Sequence, residues 1–260
     1  MTLYMIGLGL WDEKDISVKG LEAVRRCDKL FFEAYTSKLG VSVDKLEGFY
    51  GKRIIVADRS MVETQTNKIL SPAKNSNVAF LVVGDVFSAT THVDLYLRAK
   101  KEGVDVIVIN NASILNSIGV VGLELYKYGR TTSIPFHNKH VITPYDVVKQ
   151  NKAQKLHTLL LLDIDAEHNS YMTIREAIEY LLGVEDKRKE GVFTRATRCV
   201  GVARLGSENP EIIYGTADEL LQLDFGEPLH TLIIPSELHF IEEEALNQWR
   251  ADKRKIRGES

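Results

Sequence analysis

The sequence predicts an α/β protein of two domains, the first on a mostly parallel sheet and the second on a mixed sheet. Three observations predict it. Short apolar runs alternate with helically spaced segments through the first half, the pattern of parallel βαβ units. Two of those runs end in glycine-containing loops, at Gly7 and Gly9 and again at Gly84. In the second half, residues 198–213 read as two strand-like runs around Gly206, Asn209 and Pro210, an antiparallel hairpin. A boundary near residue 110 gives domains 1–110 and 111–260. No repeat or low-complexity linker separates them, so close packing is expected.

Residues 3–8 form the first predicted strand. Residues 17–26 follow as a helix, with Val18, Leu21 and Val24 at helical spacing and Ser17 as its cap. Residues 29–32 and 53–57 read as strands, and 61–73 as a helix stopped near Pro72. The continuous apolar run 78–83, bounded by Gly84, reads as a strand buried on both faces. A helix is expected over 90–101 and a strand over 104–109. Later strands are expected at 131–134, 158–163, 199–204, 211–214 and 230–234, and helices near 144–152, 173–182, 217–221 and 237–250.

Composition narrows the class. Apolar residues at 44% and charged residues at 27% suit an ordinary globular core. A formal net charge of -3 gives no reason to expect nucleic acid or an acidic membrane as partner. The basic run Lys253, Arg254, Lys255, Arg257 is local and reads as a solvated tail. Cys27 and Cys199 lie far apart with no C-x-x-C spacing, which argues for buried structural thiols in a reducing compartment. The chain enters a strand directly from Met1, so no signal peptide is expected, and no apolar run approaches the roughly 18 residues that span a bilayer. An intracellular, soluble protein is expected.

The loop Ile6-Gly7-Leu8-Gly9-Leu10-Trp11-Asp12 permits positive φ and close approach of a ligand to the backbone. A dinucleotide fingerprint is one reading, and Glu33 falls near the distance of a ribose-binding carboxylate. Asp12, however, stands where the third glycine belongs, and the next helix starts too late to put its N-terminus under a pyrophosphate. A tight strand exit and a small-molecule site both stay open. The loop Gly84-Asp85-Val86-Phe87-Ser88-Ala89-Thr90-Thr91-His92 follows the most buried strand, where ligands of open α/β sheets bind. Asp85 can accept a hydrogen bond from a ligand. Its alternative role, capping the next helix, is already open to Ser88, Thr90 and Thr91. His92 reads as structural. Asn110-Asn111-Ala112-Ser113-Ile114 is a third strand-end loop, and Gly119 and Gly122 suit a tightly packed helix. Asp163 and His230 also fall at strand ends. The seven histidines show no metal-ligand spacing, so no metal site is expected, and neither G-x-S-x-G nor a Walker loop is present. Pattern alone supports a ligand-binding α/β protein and names no reaction.

Taken in order, several phrases resemble the diphthine synthase family, part of the tetrapyrrole methylase-like group of class III methyltransferases. They are Leu3-Tyr4-Met5-Ile6-Gly7-Leu8-Gly9-Leu10, Asp15-Ile16-Ser17-Val18-Lys19-Gly20-Leu21-Glu22, Glu33-Ala34-Tyr35-Thr36-Ser37, the Gly84 to His92 loop and Ala112-Ser113-Ile114. Leu156-His157-Thr158-Leu159, Leu162-Asp163-Ile164 and Phe225-Gly226-Glu227-Pro228-Leu229-His230 complete the set, from about residue 3 to 240. The resemblance implies two α/β domains with S-adenosylmethionine in the interdomain cleft, S-adenosylhomocysteine as product, and a homodimer in the cytoplasm. It implies elongation factor 2 as protein substrate, at a histidine carrying an aminocarboxypropyl group, with neither nucleic acid nor membrane as partner. Archaeal members trimethylate the amino group to diphthine; eukaryotic members add a methyl ester. The short segment 163–173 resembles the archaeal form. Carried over residue by residue, cofactor contacts are implied at Leu10, Asp85, Ser88, Ser113, Ile114, Leu162, Leu205 and His230. Val86 departs from the proline usual there.

A sulfonium methyl is already activated, so such an enzyme has mainly to align the amine and exclude water. No general base is assigned. Tyr35 or Glu33 could tolerate the growing ammonium by cation–π or charge contact. Two alternatives share the pattern: a tetrapyrrole-precursor methyltransferase, whose polyanionic substrate would call for arginines and lysines these loops lack, and a nucleotide-dependent oxidoreductase, opposed by the missing third glycine.

Overall fold

Alternating buried strands and helices build two units, Met1–Ser117 and Ile118–Ser260. The computed structural model describes residues 1–136, 140–165 and 168–251; the basic run at 253–257 lies outside the described residues. No helix among the described residues is long and apolar enough to cross a membrane.

In the first unit, β1 (Thr2–Gly7), β2 (Lys29–Glu33), β3 (Ile54–Ala57), β4 (Val78–Val82) and β5 (Asp105–Ile109) form a parallel sheet ordered β3-β2-β4-β1-β5. β4 is buried at every position because both faces are covered: Val78, Phe80 and Val82 enter one apolar cluster and Ala79 and Leu81 the other. The connecting helices are α1 (Val18–Arg26), α2 (Val43–Tyr50), α3 (Arg59–Glu63), α4 (Asn67–Ala73) and α5 (Val93–Lys101), with the single turn α6 (Ile114–Ser117) after β5. Ser17 caps α1 by accepting from the Gly20 amide.

Three helices differ from expectation. α2 was not predicted, although its signals are present: Ser42 accepts from the Lys45 amide and Gly51 ends the helix. The helix expected over 61–73 is two, because the Thr64 hydroxyl donates to the Ser60 carbonyl and Gln65 reaches the Ser60 hydroxyl, side-chain bonds that compete with the helical ladder. α5 starts at Val93 rather than 90, since Thr90 donates to the Val86 carbonyl and Ser88 to Asp85. Those hydroxyls fold the loop instead of capping the helix.

In the second unit, β6 (Thr132–Ile134) and β7 (Thr158–Leu162) are followed by a small antiparallel pair, β8 (Ile164–Asp165) and β9 (Ser170–Tyr171), which was not predicted. β10 (Arg198–Ala203), β11 (Glu211–Thr216) and β12 (His230–Ile234) complete a sheet ordered β11-β10-β12-β7-β6. Only β6 and β7 pair in parallel, so the sheet is mixed, with β10 and β11 as the expected hairpin. Its helices are α7 (Thr143–Ala153), α8 (Ile174–Arg188), α9 (Ala217–Leu221) and α10 (Phe240–Leu246). α8 starts in a Thr173/Glu176 capping box and outruns its predicted end at 182, since Val184 continues the buried stripe past Gly183. The helix expected over 237–250 is α10 followed by a 3-10 turn, Asn247–Trp249. Gly122 permits close packing: a Cβ there would lie 2.2 Å from the Ala245 Cβ.

Candidate functional site

The carboxyl ends of β4, β1 and β5, adjacent in the sheet, carry the three strand-end loops. Gly9 and Gly84 join the first two through paired bonds, Gly9 N–H to the Gly84 carbonyl (3.1 Å) and Gly84 N–H to the Gly9 carbonyl (2.7 Å). Both have positive φ, 83° and 76°, and a Cβ on Gly9 would stand 2.5 Å from that of Asp15. Asp15 occupies the turn that follows. Its Oδ2 accepts from the amides of Leu10 (3.1 Å), Trp11 (2.7 Å) and Asp12 (3.4 Å). Successive amides of this kind make a nest for an anion, and here the anion is the chain's own carboxylate. That is the structural reason this G-x-G loop does not suit a pyrophosphate.

Asp85 ties the other two loops. Oδ1 accepts from the Phe87 amide (3.1 Å) and the Ser88 hydroxyl (3.2 Å), and Oδ2 from Asn110 Nδ2 (3.0 Å) and the Asn111 amide (3.1 Å). Burial alone would raise its pKa, but these four bonds hold the carboxyl below the usual range. Asn111 Nδ2 then donates to the carbonyls of Gly7 and Asp15, 2.9 Å each, closing the network onto the first loop. The Ser113 amide donates to Asn116 Oδ1 (2.8 Å), opening α6 at Ile114. Thus the structure brings Leu10, Asp85, Ser88, Ser113 and Ile114 to one end of the first sheet. Asp85 does not cap α5. Asp15, the residue that fills the nest, was not singled out from the sequence, although an aspartate shortly after a G-x-G turn was the available signal.

In the second unit, Leu162 ends β7, His230 begins β12 beside it, and Ala203, two residues before Leu205, pairs with His230. The three predicted residues Leu162, Leu205 and His230 therefore share one end of the second sheet. His230 Nε2 faces the carbonyls of Gly226 and Glu227 at 3.1 Å, so it carries the proton, while the buried Nδ1 has no hydrogen-bond partner among the described residues. Burial, partly opposed by those carbonyls, lowers its pKa, so the ring is a neutral acceptor at Nδ1. Arg204, in the left-handed region at φ 51°, reaches the Phe225 and Glu227 carbonyls and fixes the loop leading to His230. Nothing local in the sequence marks that role. Asp163 accepts from the Phe136 amide (2.9 Å), joining the ends of β6 and β7.

Two buried histidine–carboxylate pairs stand beside these sets. Glu33, fully buried at the end of β2, accepts from the amides of Tyr35 (2.8 Å) and Thr36 (2.6 Å) and from the Thr36 hydroxyl (2.6 Å). His92 Nε2 lies 3.4 Å from Glu33 Oε2. Buried and internally bonded, Glu33 is not placed to bind a ribose or a substrate ammonium, and the Tyr35 ring is covered by the Arg59 guanidinium at 5.3 Å. The charge and cation–π contacts expected of these two are already made within the protein. In the second unit His157 and Glu242 meet at 2.9 Å, both fully buried. Both cysteines are buried, and burial pushes the Cys27 thiol up to about 11. No group of three or more His, Cys, Asp or Glu among the described residues could hold a metal ion.

The family model for Tetrapyrrole (Corrin/Porphyrin) Methylases matches residues 2–221. A diphthine methyl ester synthase of Dictyostelium discoideum is 46% identical over 272 aligned positions, covering 97% of this chain and all of that protein. A diphthine synthase of Methanococcus maripaludis is 47% identical over 247, covering 94% and 97%. Among solved structures, a crystal structure of a diphthine synthase superposes with a TM-score of 0.89 at 37% identity, covering 98% of this chain and 99% of the other.

Proposed function

This chain belongs to the tetrapyrrole methylase family and, within it, to the diphthine synthases, and from that premise we propose that it methylates elongation factor 2 in diphthamide biosynthesis. It is an S-adenosylmethionine-dependent methyltransferase. The observation that carries the reading is the nearly end-to-end likeness to proteins named for this reaction. The acceptor is the amino group of the aminocarboxypropyl-modified histidine, in the cytoplasm, and three transfers give diphthine. The functional enzyme is expected to be a homodimer, and sedimentation showing a monomer would remove that part of the reading.

S-adenosylmethionine, when bound, supplies a methyl carbon already activated by its sulfonium. The protein's part is to hold and orient. Leu10, Asp85, Ser88, Ser113, Ile114, Leu162, Leu205 and His230 are the proposed donor contacts. The donor chemistry fits one observation: the buried acceptor at His230 Nδ1 suits an amino group. Asp85 also fixes Ser88, Asn110 and Asn111 in place. S-adenosylhomocysteine is the product at each transfer. Calorimetry should show binding of S-adenosylmethionine and none of a nicotinamide dinucleotide. Mass spectrometry of primed elongation factor 2 should show a gain of three methyl groups; a gain of four indicates the methyl ester, and none overturns the reading.

A further inference from the structure

The loop from Gly84 to His92 is held at both ends, and the mechanism so far uses only one. At its start Asp85 is fixed by four hydrogen bonds. At its end His92 is 1% exposed and begins α5 without a side-chain cap. The imidazole stands edge-on to Phe80 at 5.1 Å and to Tyr35 at 6.5 Å, with Nε2 3.4 Å from Glu33 Oε2. Neither ring nitrogen has an aligned hydrogen-bond partner among the described residues. A polar group so placed calls for a reason, since buried donors and acceptors are nearly always satisfied and exceptions gather at working sites. Helix capping does not explain it, nor does packing, which an apolar side chain would serve better. Glu33 is rigid, anchored by Tyr35 and Thr36, and it pairs in register with Val82, three residues before Asp85. Between the two anchors Ala89 adopts φ 60°, a conformation uncommon for a residue with a Cβ, so the loop is held rather than relaxed.

We propose that His92 is a positioning residue for the methyl donor: braced on Glu33, its imidazole fixes the far end of the loop that presents Ser88 and Asp85. The inference rests on the methyltransferase reading above. It predicts a polar requirement at a site that packing alone would not impose.

The test compares His92→Leu, which keeps volume, with His92→Gln, which restores an N–H toward Glu33, using S-adenosylmethionine calorimetry well below each variant's thermal midpoint. His92→Leu should weaken donor binding about tenfold or more and raise KM for the donor more than it lowers kcat, while His92→Gln stays within about threefold of the unmodified chain. A folded His92→Leu that binds the donor like the unmodified chain overturns the proposal. If His92→Leu does not fold, Glu33→Gln carries the test, with the same loss expected and an unchanged affinity overturning it. Failure of the unmodified chain to bind the donor would instead sink the methyltransferase reading itself.

Discussion

The two buried histidine–carboxylate pairs are alike in composition and opposite in satisfaction. His157 takes the Ser236 amide on Nδ1 (3.0 Å), which fixes the proton on Nε2, where it is donated to Glu242 Oε1 (2.9 Å). Glu242 also accepts from the amides of Glu124 (3.0 Å) and His239 (2.9 Å) and from Lys127 Nζ. Burial would raise its pKa, but these partners bring it down to about 2. Every polar atom of that pair has a place, and the pair pins α10 to the start of β7. In the first unit Glu33 is equally well held, yet His92, 3.4 Å from it, has no aligned hydrogen-bond partner among the described residues. The contrast teaches that burial of a histidine–carboxylate pair does not by itself assign a role. A satisfied pair is a fastener; an unsatisfied one marks a position kept for something besides stability.

The comparison breaks most sharply at Glu242. Glu242→Ala strands His157, Lys127 and two amides, and should lower unfolding free energy by roughly 3–5 kcal/mol, read by urea denaturation. An effect under about 1 kcal/mol would deny it the fastener role. His157→Leu removes one partner and orphans the Ser236 amide, so a loss of about 1–3 kcal/mol is expected by the same measurement. The pH dependence follows. Burial, only partly opposed by Glu242, lowers the His157 pKa below its ordinary 6.5. Its share of stability is complete above 6.5, where the unfolded chain is also neutral, and is lost as pH falls below that value and the unfolded chain gains the proton first. Glu242 adds a second window, complete above its ordinary 4.5 and lost as pH falls toward about 2. Thermal midpoints should therefore decline from neutral pH downward, and His157→Leu should flatten the upper part of that decline. The smallest stability effect is expected at His92. His92→Leu removes only the 3.4 Å contact with a Glu33 carboxylate that Tyr35 and Thr36 already hold, and should change stability by no more than about 1 kcal/mol in either direction. A large loss there would make the two pairs equivalent.

The legibility of the site followed the range of its contacts. The strand-end loops were readable because a buried strand leaves an apolar run and a glycine exit, as at residues 78–84. The hairpin of β10 and β11 was readable from its turn residues. Asp15 was written in the sequence but not recognised, since its three amide partners lie only three to five residues away. Arg204 and Glu242 were beyond sequence reasoning. Arg204 reaches carbonyls 21 and 23 residues on, and Glu242 meets His157 across 85.

The sequence by itself determined the α/β class, the buried central strand, the mixed second sheet and the family, because periodicity, turn chemistry and short ordered phrases are local properties of the chain. Only the tertiary structure decided that Asp15 fills the amide nest, that Asp85 organises loops rather than caps a helix, and that Glu33 and Tyr35 are already engaged. It also decided which histidine is satisfied and which is not. Hydrogen-bond satisfaction depends on where distant backbone and side-chain groups arrive together, and no window along the chain contains that information.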